Sequence, residues 1–174
     1  MNKSLKILIT MTLALLLTGN AFADSVSITV NGRILPSPCT TINDGNPGVL
    51  VPFGDLQINS FSIPGGNGSD WINFTIPVSG CPAGTNNVVV TFSGTMDPTD
   101  SMRWKNTAGG TAATNISIDL LNPPSTRITN GTSITVPITA GTAIIPLRTH
   151  LFSALGSPMP GAVATVIVAT FTYQ

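Results

Sequence analysis

Ser25-Val26-Ser27-Ile28-Thr29-Val30-Asn31-Gly32-Arg33-Ile34 sets an apolar or small residue at every second position against polar partners. That alternation predicts a ten-residue strand with one apolar and one polar face. It stands directly behind a segment with the anatomy of a secretory signal, at the leading tip of the exported chain. A strand at a free terminus either pairs with its own sheet or is given to another molecule. Which of the two happens decides what the protein does.

The signal segment is assigned to 1–23. Lys3 and Lys6 supply positive charge, 7–17 an apolar core, and Ala21-Phe22-Ala23 a small-x-small cleavage site. The apolar run is about half the roughly 20 residues that a membrane helix needs. Cleavage leaves 151 residues, which suits one domain with a real core. Five basic residues then face seven aspartates, with no glutamate anywhere. So weak a charge gives no electrostatic hold on nucleic acid or anionic lipid. Without glutamate and with almost no lysine, the usual surface helix formers are missing, while Val, Ile, Thr and Ser fill the periodic stretches. The expected class is all-β.

Cys39 and Cys81 are the only cysteines. In an oxidising compartment an even pair across a long loop reads as one structural disulfide. Closing this loop would stabilise the fold by about 4 kcal/mol. A metal or redox site would need a second cysteine pair or a CxxC, and the chain has neither.

After the leading strand, Leu35-Pro36-Ser37-Pro38 breaks the pattern and reads as a hinge. Further strands are expected at 49–53, 71–78, 87–93, 115–121, 133–138, 142–152 and 162–173, separated by Gly, Pro, Asn and Asp turns. This spacing argues for an antiparallel sandwich or barrel. The last strand is apolar on both faces over 163–168, then alternates to Tyr173. Such a strand should lie inside a sheet with partners on both sides. With the chain ending at Gln174, no following segment is expected to cover its second edge, and an open apolar edge is either a hazard or a means of assembly.

With these features the sequence resembles the subunits of chaperone–usher fimbriae, in particular the small minor subunits of type 1-like pili. The residues that carry the resemblance are 25–32, Pro38-Cys39-Thr40, Cys81-Pro82-Ala83-Gly84-Thr85, Thr91-Phe92-Ser93-Gly94 and the closing Phe171-Thr172-Tyr173-Gln174. Gly161, fourteenth from the end, and Tyr173, next to last, match two marks of the family's final strand. The resemblance implies an incomplete immunoglobulin-like pilin β-sandwich that lacks its final strand. It also implies a signal at 1–23, a donor-strand extension at 24–35 and a pilin domain at 36–174. A periplasmic chaperone would fill the groove first, and at the outer-membrane usher the leading strand of a neighbouring subunit would replace it. Val26, Ile28, Val30, Gly32 and Ile34 would be the donor residues, and Gly161, Ile167, Ala169, Phe171 and Tyr173 the acceptor edge. Burying Val26, Ile28, Val30 and Ile34 would gain about 6–12 kcal/mol before any ladder hydrogen bond. That rivals the stability of a whole domain.

Gly32 stands where the pattern asks for a larger residue. It marks either a close approach of backbones or, as the resemblance suggests, a shallow step in the partner's groove. The rival readings are poorly supplied. An enzyme would have His150 alone as its histidine, no Glu and no positioned nucleophile, so neither a catalytic residue nor a metal or cofactor is expected. His150 reads as a partly exposed sheet residue. A carbohydrate-binding tip adhesin could use Trp71 or Trp104 as a stacking platform, with Trp71 expected in the core and Trp104, between Arg103 and Lys105, at the surface. A major rod subunit is the other alternative. No nucleic acid or small-molecule substrate is expected as a partner. The Asn-x-Ser/Thr triplets at Asn67, Asn73, Asn115 and Asn130 read as ordinary loop and strand polarity.

Overall fold

In the computed structural model, residues 26–66 and 68–174 are described, and the signal expected at 1–23 lies outside them. The chain divides into two units, Met1–Ile34 and Leu35–Gln174. In the first, residues 26–34 form no strand and their side chains are exposed, Val26 at 87 % and Ile34 at 99 %. The strand expected at 25–34 is thus not formed over residues 26–34, which have no ladder partner among the described residues.

The second unit is built from β1 (Thr41–Ile42), β2 (Ile72–Ser79), β3 (Asn87–Gly94), β4 (Trp104–Lys105), β5 (Ser117–Asn122), β6 (Thr126–Arg127), β7 (Ser133–Pro137), β8 (Ala143–Phe152) and β9 (Ile167–Tyr173). The described residues contain no α-helix, only two 3₁₀ turns. One sheet runs β1-β2-β8-β5-β4, with β6 attached to β5, and the other runs β7-β3-β9. Every ladder is antiparallel, as expected where short turns join neighbouring strands. At the β7–β8 junction Ala140 and Gly141 take positive φ, and Thr139 and Thr142 exchange backbone hydrogen bonds.

Alternation places the core. Ile76 and Val78 of β2, Val88, Val90 and Phe92 of β3, and Ile145 and Leu147 of β8 point inward and are buried together. Phe74 stands opposite Leu147, and Ile76 opposite Ile145, on the inner face of the larger sheet. The Cys39–Cys81 disulfide is present and ties the residues before β1 to those after β2.

Several expectations are corrected. Residues 49–53 form no strand. They have no ladder partner among the described residues and Pro52 withholds a donor, yet Phe53 still packs on the core. The final strand begins at Ile167 rather than 162; among the described residues β9 pairs with β3 alone, so it lies at the edge of its sheet rather than between two partners, with its second edge open as the chain's ending led one to expect. The strand expected at 115–121 starts at Ser117, because Asn115 takes a positive φ of 54°. The short strands β1, β4 and β6 have two residues each, too few to leave a periodic signal in the sequence.

Candidate strand-acceptor groove

Within the smaller sheet, β9 lies against β3 with Val88 opposite Tyr173, Val90 opposite Phe171 and Phe92 opposite Ala169. On the inner face of β3, Val88 and Val90 are 0 % exposed and Phe92 is 2 % exposed. The matching inner residues of β9, namely Ile167, Ala169, Phe171 and Tyr173, touch the same core but are only half-buried. Both rows face one interior, so the difference is cover: among the described residues β3 has a strand on each side and β9 has one.

The backbone gives the same result. Asn87 and Gln174 exchange both of their N–H···O bonds, at 2.9 Å each. In an antiparallel ladder such pairs recur at every second residue, so Thr172, Thr170 and Val168 also bond to β3. The N–H and C=O groups of Tyr173, Phe171, Ala169 and Ile167 then point to the other side, where the described residues supply no strand. An apolar, half-covered row of side chains beside a row of unpaired backbone groups is a template for one more strand. Burial also pushes the Tyr173 hydroxyl above its ordinary pKa near 10, because the partly apolar surroundings disfavour the phenolate.

Gly161 lies outside β9. A Cβ there would stand 2.5 Å from Ala112 C and Ala113 N and 2.7 Å from Thr111 O. Its glycine is required by the close approach of these two segments, and it does not line the open edge.

A second cluster sits on the outer face of the larger sheet. Asp119 of β5 is buried, with its Oδ2 3.1 Å from Arg127 Nη2, 3.4 Å from Arg103 Nε and 3.4 Å from His150 Nε2. Arg103 also pairs with Asp100 and lies over the Phe152 ring at 3.4 Å. Trp71 stacks on His150 at 3.8 Å between ring centroids, and the Arg148 guanidinium lies 4.6 Å from the Trp71 ring. His150 is thus buried under an indole rather than partly exposed. The two tryptophans are reversed from expectation: Trp104 is 0 % exposed in the core and Trp71 is half-buried on the outer face. Trp104 sits on β4 opposite Ile118, and that short pairing, invisible in the sequence, turns it inward. His150 Nδ1 has no hydrogen-bond partner among the described residues, so no hydroxyl nucleophile is held against the imidazole. The cluster draws β5, β6, β8 and the residues before β4 together; cationic groups gather on Asp119 Oδ2 and offset part of the cost of burying the carboxylate, while Oδ1 has no hydrogen-bond partner among the described residues.

A family model described as fimbrial protein matches residues 28–174. The chain belongs to the fimbrial protein family. Protein FimG of Escherichia coli strain K12 is 31 % identical over 155 residues, covering 87 % of each chain. The S-fimbrial adhesin protein SfaS of Escherichia coli O6:K15:H31 (strain 536) is 32 % identical over 156 residues, covering 88 % of each. Among solved structures, the P pilus rod subunit PapA matches with a TM-score of 0.64 at 18 % identity, over 79 % of this chain and all of that one, a likeness of fold. The fold is the immunoglobulin-like pilin sandwich. This fimbrial protein is a structural subunit of chaperone–usher pili rather than an enzyme; it is exported through the periplasm and assembled with other subunits at the cell surface.

Proposed function

We propose that this fimbrial subunit polymerises by donor-strand exchange. Its leading segment, through Val26, Ile28, Val30, Gly32 and Ile34, completes the sandwich of one neighbour. Its own open edge along Ile167, Ala169, Phe171 and Tyr173 accepts the equivalent strand of another. A periplasmic chaperone occupies that edge beforehand, and the outer-membrane usher is where the exchange takes place. The observation that carries this reading is the half-covered inner row of β9 beside the sealed row of β3. A leading stretch of alternating, exposed apolar residues is the matching half. The domain layout follows, with a signal at 1–23, a donor extension at 24–35 and a pilin domain at 36–174. Cys81-Pro82-Ala83-Gly84-Thr85 supports a minor linker place near the tip over a place in the main rod.

Deleting residues 24–34 tests the reading. The shortened chain should still co-purify with its chaperone at one-to-one stoichiometry, yet fail to attach to the subunit ahead of it in the fibre. Loss of folding with the chaperone present would show that the segment belongs to its own sheet. Quantitative mass spectrometry of purified pili should give a copy number far below that of the rod subunit.

A second reading, a receptor-binding subunit, is favoured by the match to an S-fimbrial adhesin and by the half-buried Trp71 beside Arg148. Glycan-array binding by a groove-filled form, abolished by Trp71→Ala, would support it.

A further inference from the structure

The edge that would accept a strand does not stop where β9 stops. Upstream of Ile167 the half-buried, exposed alternation continues without a break: Val163 and Thr165 face inward, while Ala162, Ala164 and Val166 are exposed. The backbone bonds keep the same parity. Even-numbered residues of β9 bond to β3, and once β3 has ended at Gly94, Ala164 and Ala162 bond instead to the segment 106–113. Thr107 N donates to Ala164 O at 2.7 Å, Ala113 N to Ala162 O at 2.9 Å, and Ala162 N to Thr111 O at 2.8 Å. Segment 106–113 therefore prolongs the rail on which β9 lies.

One side chain holds the two segments in register. Asn106 Nδ2 donates to Ala113 O and Ala162 O, both at 3.0 Å, and Asn106 Oδ1 accepts from Ala108 N at 3.1 Å and Ala164 N at 3.0 Å. All four hydrogen-bonding positions of the carboxamide are used, which few other side chains could do. Ala164 N has no backbone acceptor among the described residues, and Asn106 supplies the acceptor that a neighbouring strand would otherwise provide. On the opposite side, Val163 and Thr165 make no backbone hydrogen bond among the described residues, and the occluded Thr165 hydroxyl has no partner.

We propose that Asn106 is a positioning residue for strand capture: its carboxamide holds residues 162–164 in line with β9, so that the edge offered to an incoming strand runs from Val163 to Tyr173 rather than from Ile167. This rests on the donor-strand reading above and adds its length and its anchor. The length is what the donor requires. β9 alone has seven residues, too few for a ten-residue strand such as 25–34, whereas 163–173 spans the whole of it.

The test uses the exported chain, with a synthetic peptide of sequence 25–34 as the probe and amide hydrogen exchange read residue by residue by NMR. With the peptide bound, the amides of Val163 and Thr165 should slow at least tenfold together with those of Ile167, Ala169, Phe171 and Tyr173. In Asn106→Ala the slowing should remain at 167–173 and vanish at 163 and 165, while exchange in β2 and β8 is unchanged. A purely structural role would instead loosen the core amides as well. If Asn106→Ala does not accumulate as folded protein, Asn106→Asp serves in its place; it keeps both acceptor bonds and gives up both donor bonds, and should lose the slowing at Val163. Slowing confined to 167–173 in the unsubstituted chain would overturn the extended edge and leave strand capture standing. Slowing at 163 and 165 that survives both substitutions would overturn the assignment to Asn106. No slowing anywhere in 163–173 would overturn strand capture itself, and this inference with it.

Discussion

β3 and β9 are adjacent strands of one sheet, in register, with inner residues of similar character, yet one row is sealed and the other half open. Composition does not separate them. What differs is the number of neighbours, because a strand's inner face is covered by the side chains of the strands on either side of it. The comparison makes β9 the place where the interior is unfinished, and it assigns different sensitivities to equivalent residues in the two strands.

The largest expected effect comes from finishing β9. A peptide of sequence 25–34 bound to the exported chain should stabilise it by about 6–12 kcal/mol, read as a large rise in the denaturant midpoint, with β9 becoming as protected as β3. A midpoint that does not move would erase the distinction between the strands. Removing the Cys39–Cys81 link by serine substitution should cost about 4 kcal/mol in either state. In the empty chain this should prevent folding at 37 °C, as judged by circular dichroism, whereas the filled chain should survive.

The paired substitutions Phe92→Ala and Phe171→Ala sharpen the comparison further. Phe92→Ala should cost about 3–5 kcal/mol whether the edge is filled or not. Phe171→Ala should cost less than half as much in the empty chain and approach the Phe92 value once a strand is bound. Equal costs in the empty chain would mean that the Phe171 ring is already fully covered. Gly161→Ala should cost about 1–3 kcal/mol in both states, since the added methyl meets the backbone of Ala112 and Ala113.

The smallest effect is a pH dependence. Tyr173 has its folded pKa raised above the unfolded value near 10, so its contribution is fully present below pH 10 and is lost as pH rises through the folded pKa. Urea titrations should show stability constant up to about pH 10 and falling above it. Tyr173→Phe should remove that fall, while a substitution at Val88, which stands opposite Tyr173, should leave its pH range unchanged.

Much of this was legible in the sequence because a two-residue period survives translation into structure. The expected strands at 71–78, 87–93, 133–138 and 142–152 lie within a residue or so of β2, β3, β7 and β8, and the cysteine pair was read from spacing and compartment. What failed was information carried by partners rather than by the stretch itself. Residues 49–53 have a strand's composition and no ladder among the described residues. Trp104 looks exposed between Arg103 and Lys105, and is turned inward by a pairing only two residues long. Asn106 gave no local signal, since its four bonds reach Ala108, Ala113, Ala162 and Ala164, two of them more than fifty residues away. The Asp119 cluster draws Arg103, Arg127 and His150 from separate elements, so only the folded topology could have assembled it.

The disulfide has a mechanical consequence. If subunits are joined through their leading segments, as proposed above, a pull along the fibre enters each subunit ahead of Cys39 and reaches that residue first. There it crosses the covalent link to Cys81 and runs on into β3, the strand that carries β9. The forty-one residues between the two cysteines, β1 and β2 among them, form a covalently closed loop that such a pull cannot draw out while the link holds.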